Sequence, residues 1–415
     1  MRVAVPAAYA LRVVSGPPRP LRSKILALVG AILFAGSTPV ESRQPRVLVT
    51  DGTRATDGVT VADFRLLRGT SPGRVVFEAR CIDGDCNRSG IYAFTRGRVR
   101  PVLRIGDVPE DSPPVTGIEV AIVSGRHVVA SVVFADETVG LVLVDRRRLR
   151  TLVRSGDRAV TGEAIVPVGA FDVDAVFGIR GDDLIFAGRV AEQSYGFYVR
   201  DERLGIRPLV PDGLLPTRDG RLGFVDGVAT SGTVTALRAE DEYGDVVLFD
   251  LTDAVSRRIA ITGELAPGYT DERFGAMTLP IARDERVAFQ AGLQEGTRNI
   301  QGVWLWQHGI LRHLADSSES GAFYSGEFAL TRSGLVAVAG ERTDRLVYWE
   351  GRQKPRVLAR GGDRFPGGRT IEAMFTVSAT EKAAVFVAAV NDPHSIVAIM
   401  AVPLRSAAVT TAGSQ

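Results

Sequence analysis

From residue 62 onward the hydrophobic positions fall into short runs of four to eight residues, rich in β-branched and aromatic side chains and separated by polar steps that contain Gly. No apolar period of 3.6 residues persists for three turns, so the pattern predicts strands and not helices. One set of runs reads Val75-Val76-Phe77, Val132-Val133-Phe134, Leu184-Ile185-Phe186, Val234 to Leu237, Val287-Ala288-Phe289, Val336-Ala337-Val338 and Val385-Phe386-Val387. A second follows each of these: Gly90-Ile91-Tyr92, Gly140-Leu141-Val142, Gly196-Phe197-Tyr198, Gly244-Asp245-Val246, Gly302-Val303-Trp304, Arg345 to Tyr348 and Ser395-Ile396-Val397. A tight turn such as Arg96-Gly97, Gln307-His308-Gly309 or Glu350-Gly351 then leads to a third run, for example Val99 to Leu103, Leu149 to Val153, Ile206 to Val210, Ile310 to Leu314 and Arg356 to Leu358. That run commonly ends in Gly-Asp, at Gly106-Asp107, Gly156-Asp157 and Gly362-Asp363, with Gly263-Glu264 and Asp212-Gly213 as variants. A fourth apolar stretch precedes each group, as at Ala62 to Leu67, Gly117 to Ile122, Phe171 to Phe177, Phe274 to Leu279 and Ile371 to Val377.

Seven groups of four strands, repeating about every 50 residues, suit radial repetition, in which each twisted sheet covers the apolar face of the next. The expected fold is all-β: a seven-bladed β-propeller of four-stranded antiparallel blades, spanning 46–404. The ends carry the argument further. The seventh group stops after its third strand, Ile396 to Val402, while Arg46-Val47-Leu48-Val49-Thr50-Asp51-Gly52 mirrors Arg356-Val357-Leu358-Ala359-Arg360-Gly361-Gly362-Asp363. The N-terminal strand is therefore expected to complete the last blade and close the ring. The unit 221–268, with a degraded turn, is the weakest of the seven.

Residues 1–37 hold Arg2, Arg12, Arg19, Arg22 and Lys24, no acid, and an apolar run from Ile25 to Ala35. A run of about 11 residues is short for a membrane span and right for the core of an export signal, with Ala35 and Ser37 offering a cleavage site. Residues 38–45 read as a linker and 405–415 as a disordered tail. An uncleaved anchor is the alternative. The chain is expected to be exported, to the periplasm or beyond. Removing five basic residues turns the net charge of +2 into about −3 (2 − 5), which leaves no overall electrostatic footprint for nucleic acid. Arg146 to Arg150 reads as a solvated turn. Cys81 and Cys86, with four residues between them, are expected to form a disulfide in an exported chain, with free thiols or a metal as alternatives.

The runs Gly302 to Arg312 and Gly361-Gly362-Asp363-Arg364-Phe365-Pro366-Gly367-Gly368 resemble a group of uncharacterised exported bacterial repeat proteins. Their units read roughly Gly-Val-Tyr-Leu-Trp, Gly-Asp-x-x-Pro-Gly-Gly and Gly-x-Val-Ala-Phe. Arg286-Val287-Ala288-Phe289 and Ser333 to Val338 match the last piece, although the family's Asn is replaced by Ala282 and Thr331. The resemblance covers 46–403 and implies a propeller-like fold and no activity.

In a meander of strands A to D, the B-to-C loops and the connections from D to the next A emerge at one end. That end carries the candidate binding residues Asp51, Asp107, Asp157, Tyr195, Asp212, Tyr243 and Asp363. A ring of carboxylates could attract a cation or a polar, sugar-like ligand, whereas Asp beside Gly ordinarily bonds its own turn. Glu240-Asp241-Glu242 with Asp245 lacks the alternating spacing of a calcium loop and reads as solvated. His308 and His313 read as surface residues, His394 as a loop residue and His127 as packed. Tyr92, Tyr198, Trp304, Trp306, Tyr348 and Trp349 read as packing between blades. Gly69-Thr70-Ser71-Pro72-Gly73 spells Gly-x-Ser-x-Gly, but with no helix expected to follow it this string is not read as a nucleophile elbow. The expected role is a monomeric, non-catalytic binding or scaffold module without cofactor, taking a protein or carbohydrate ligand. The competing class is a hydrolase or lyase of extracellular glycans or lactones working through loop carboxylates.

Overall fold

The computed structural model describes residues 44–404 apart from 71–72, 83–88, 146–147, 168–176, 191–193, 210–223, 242, 252–255, 295–299, 318–322, 341–343, 351–354, 381 and 392–395. The described chain forms seven antiparallel sheets, which are the seven blades of a β-propeller. Blade 1 runs Thr60–Leu66, Val75–Cys81, Ser89–Thr95, Arg98–Arg104, and blade 2 runs Val115–Ser124, His127–Phe134, Val139–Asp145, Arg148–Arg154. In blade 3 two pieces, Ile165–Pro167 and Phe177–Arg180, pair with the same strand, Asp183–Val190, before Ser194–Asp201 and Gly205–Pro208. Blade 4 is Phe224–Ser231, Val234–Glu240, Val246–Asp250 and Arg257–Ile261, as regular as its neighbours despite its weak sequence signature. Blade 5 again splits its first strand, into Arg273–Met277 and Ile281–Arg283, followed by Arg286–Gln294, Gln301–Gln307 and Ile310–Asp316. Blade 6 is Phe323–Leu330, Gly334–Ala339, Arg345–Glu350 and Arg356–Arg360.

Blade 7 contains Thr370–Ala379, Ala383–Asn391 and Ile396–Pro403, and its outer strand is Arg46–Thr50 from the other end of the chain. Register pairs Arg46 with Ala401, Val47 with Met400, Val49 with Ile399 and Thr50 with Ala398. The expected closure is thus present. It reproduces a detail of the other blades as well. Except in blade 3, whose described outer strand pairs without a shift, outer strands carry one extra residue opposite the third strand, a β-bulge that increases local twist. The extra residue is Val102, Leu152, Ile259, Leu314 or Leu358, and in the closing strand it is Leu48.

First strands of successive blades touch one another, which places them around the axis. Next to them, Arg68–Thr70 leaves blade 1 and pairs in parallel with Val115–Ser124 of blade 2, because first strands all run the same way round a ring. The core lies between blades: Phe77, Phe134, Phe186, Phe249, Phe289 and Phe386, all on second or third strands, are almost wholly buried. The recurring Gly two residues ahead of an aromatic has a steric cause. Those two side chains would share one face of the strand, and a Cβ at Gly302 would come within 2.4 Å of the Trp304 ring. Tyr92, Tyr198, Trp304, Trp306, Tyr348 and Trp349 are all buried, so they serve packing as expected.

Val49 is buried in the closing strand. Val49→Asp places an unpaired charge there, and a loss of about 3 kcal/mol or more is expected in chemical denaturation. A circular permutant that begins at Asp51 and joins Pro403 to Arg46 through a short turn is expected to keep the wild-type circular dichroism spectrum and melting temperature within a few degrees. If the permutant fails to fold, the closing strand does more than complete a blade.

Candidate functional site

Each described Gly-Asp connection is built the same way. In Asp107, Asp157 and Asp363 one carboxylate oxygen accepts the amide of the last residue of the preceding outer strand: Arg104 at 2.8 Å, Arg154 at 2.9 Å and Arg360 at 2.8 Å. The Asp amide donates back to the carbonyl of that same residue, and the Gly amide donates to the first strand of the next blade at Val115, Ile165 or Ile371. This is the turn role that Asp beside Gly is suited for. An outer strand lies three strand spacings, roughly 14 Å, from the innermost strand of its blade, so these carboxylates do not line a central channel. What lines the axis between blades 2 and 5 is apolar: a cavity of about 70 Å³ bounded by Ile122, Phe177, Ala229, Leu279 and Ile281 among others.

Asp51 is placed differently from the other turn carboxylates. Its two oxygens accept the amides of Val397 in blade 7, at 2.9 Å, and Asp63 in blade 1, at 3.1 Å. One side chain therefore fastens both neighbours of the seam. Burial raises its pKa above the ordinary aspartate range, against the lowering effect of the two amides.

Asp63 opens onto a charged group that the turn pattern did not reveal. It holds a left-handed φ of 53° inside a bulged first strand and pairs with Arg80. Arg65 lies directly opposite Glu78 in the register. Burial raises the Glu78 carboxyl, partly offset by Arg65. Charges on both the first and second strands of one blade are unusual where blades bury both faces. That signal was available in Asp63, Arg65, Glu78 and Arg80 at alternate positions of the two strands.

Of the remaining candidates, Tyr243 is 61% exposed in the B-to-C loop of blade 4. Asp241 beside it is buried; one oxygen accepts the amides of Tyr243 and Asp245 at 2.9 and 3.0 Å, and the other has no hydrogen-bond partner. The loop is thus not wholly solvated, which corrects the reading of Glu240 to Asp245: the local turn draws Asp241 inward. Glu242, Asp212, His394 and Cys86 lie outside the described residues, as does the Tyr195 side chain; Cys81 is buried at the end of its strand. His308 sits at its turn with φ of 50°. His313 is not a free surface residue: it is half-buried against Trp304, with Nε2 3.3 Å from the Tyr269 hydroxyl. The connection that carries Tyr269 folds over the next blade, and a sequence pattern does not show that contact. His127 is half-buried, 3.8 Å from Asp145. Among the described residues no group of three or more His, Cys, Asp or Glu is arranged to hold a metal ion, and no helix is long and apolar enough to cross a membrane.

No family model matches the sequence and no curated protein matches it. Solved structures do. The β-propeller domain of the Trilobed protease from Pyrococcus furiosus aligns with a TM-score of 0.51 at 9% identity, covering 82% of this chain and 96% of that domain. A puromycin-hydrolyzing peptidase from Mycobacterium tuberculosis aligns with a TM-score of 0.49 at 15% identity over 89% of this chain, which spans 57% of the peptidase's length. BamB from Moraxella catarrhalis gives 0.37 at 12% identity, covering 81% of this chain and 85% of BamB. At such identities the likeness concerns the fold alone. The Pyrococcus domain is described as having an open velcro topology, whereas here the ring is closed by Arg46–Thr50.

Asp157→Ala is expected to cost about 1–2 kcal/mol of stability, since it strips the Arg154 amide of a charged acceptor. Asp51→Ala should cost at least as much, and its effect should depend on pH. Because the folded pKa of Asp51 is raised, protonation favours the folded state. The stability gap between wild type and Asp51→Ala is therefore expected to widen as pH falls through the folded pKa toward the unfolded value. Denaturation at several pH values between neutral and mildly acidic checks the sign.

Proposed function

We propose that the chain is an exported propeller that binds a protein partner without catalysis, through the end that carries the B-to-C loops and the connections between blades. One observation supports this. Ile82, Val108, Val160, Tyr243 and Leu265, all 47% exposed or more, project from loops at that end. Leu204 and Ile310 alone among the described large apolar side chains project at the opposite turns. Apolar and aromatic side chains held out on short, hydrogen-bonded loops are the kind of anchor that protein interfaces use. The leader and the resemblance to exported repeat proteins are what place the chain outside the cytoplasm in this reading. The Cys81–Cys86 pairing belongs to the same reading: intact mass under non-reducing conditions should be two hydrogen atoms lighter than after reduction.

Cross-linking in a periplasmic extract of the source organism, with the purified chain as bait, tests the main claim. One specific protein partner is expected, and its affinity should drop at least tenfold with Val108→Glu and Val160→Glu together. Ile310→Glu at the other end should leave it unchanged. Equal loss from Ile310→Glu would sink the assignment of the face. A second reading draws on the raised carboxyls of Asp51 and Glu78 beside Asp63, which could act as acid and base on a glycan or lactone. Turnover of a glycan or lactone panel, abolished by Glu78→Gln, would favour it over binding.

A further inference from the structure

The end of the wheel opposite those loops carries the A-to-B and C-to-D turns, and its charge is distributed unevenly. On blades 7, 1 and 2, which are consecutive round the ring, it presents Arg46, Arg96, Arg98, Arg100, Arg126 and Arg148, all exposed. Against these stands Asp145, 3.8 Å from Arg126 Nε. Arg150, next along blade 2, is already matched by Glu202 at 2.8 Å, and Lys382, in the first turn of blade 7, follows Glu381 in the sequence. On blades 3 and 4 the same end is nearer balance, four acids (Asp182, Asp183, Asp201 and Glu202) against five arginines (Arg180, Arg203, Arg207, Arg257 and Arg258). A coding preference for Arg over Lys explains the residue type. It does not explain six cations on three adjacent blades of a chain whose mature charge is negative.

We infer that this end is a docking surface for an anionic lipid bilayer, with the arginines of blades 7, 1 and 2 meeting phosphate headgroups. Two features favour a bilayer over other polyanions. The cations sit at turns and strand starts at one end of a ring, so a planar partner can meet all of them, whereas a rod-like duplex would meet a few. On that same end Leu204 and Ile310, 59% and 52% exposed, stand close in sequence to Arg203 and Arg312, the pairing of apolar body and cation that suits a membrane interface. The loop end proposed for a protein partner would then face away from the membrane.

Flotation of the full chain with vesicles tests the assignment, using equal parts phosphatidylglycerol and phosphatidylcholine, with phosphatidylcholine alone as the baseline for any contribution of the leader. Binding to the anionic vesicles above that baseline, weakening as salt is raised, is expected. Arg96→Gln, Arg98→Gln and Arg100→Gln together should lower partitioning into the anionic vesicles about a hundredfold, at one cation's worth of attraction each. The melting temperature and the phosphatidylcholine baseline should not move. Arg158→Gln with Arg364→Gln, at the loop end, should partition as wild type does. Equal binding to both vesicle types, an unchanged triple variant, or displacement from the anionic vesicles by a DNA duplex at equal phosphate would each overturn the inference.

Discussion

The pairing of Arg46–Thr50 with Ile396–Pro403 is the constraint on which the rest of the structure depends. A ring of sheets that each bury two faces has no stable end unit, because an open edge would expose an apolar face of the first blade and another of the last. The contact joins residues 346 positions apart, yet loop-closure entropy grows slowly. Closing so long a loop costs only about 3 kcal/mol more than closing one of ten residues. Burial of Val49 and the two amide bonds of Asp51 act against that cost, and so does the packing that all seven interfaces gain once the ring is shut.

The closing strand succeeds because it is an ordinary outer strand in every local respect. It begins with Arg, carries a leucine in the bulge, buries the next residue and ends in an Asp that accepts backbone amides. In the other blades the Asp after the turn Gly ties the outer strand to its own turn. At the seam that place is taken by Thr53, whose Oγ1 accepts the Thr50 amide at 3.1 Å, while Gly52 bonds Val61 of blade 1 as the other turn glycines bond the strands that follow them. Asp51, two positions earlier, joins Val397 to Asp63, and burial at that position is what raises its pKa.

How much of this could be read in advance follows from the range of each interaction. Strand positions and blade number came from β-branched runs and turn residues, whose preferences act over two to five residues. The closure was legible because Leu48 and Leu358 occupy matching places in two similar strings, so a long-range contact left a local trace. His313 left no such trace: its partner Tyr269 lies 44 residues away, on a connection whose path over the blade no periodicity encodes. The Asp63–Arg80 and Arg65–Glu78 pairs were partly legible. Alternating charges on two consecutive strands pointed to them, but only a fixed register shows that Arg65 meets Glu78.

Net charge concealed what position reveals. A net charge of only +2 over the whole sequence suggests no particular attraction for anions, but electrostatic attraction at protein surfaces is decided within about 10 Å, the screening length at moderate salt. A propeller sorts its residues by end with strict regularity, since every A-to-B and C-to-D turn falls on one side and every B-to-C loop on the other. Arg96, Arg98 and Arg148 therefore share one end, while the turn acids Asp107, Asp157 and Asp363 lie at the other and are already engaged by backbone amides. The two ends of the wheel consequently differ in chemistry: apolar tips and bonded carboxylates on one, exposed arginines on the other. The meander alone produces this separation, because it fixes which turns share an end.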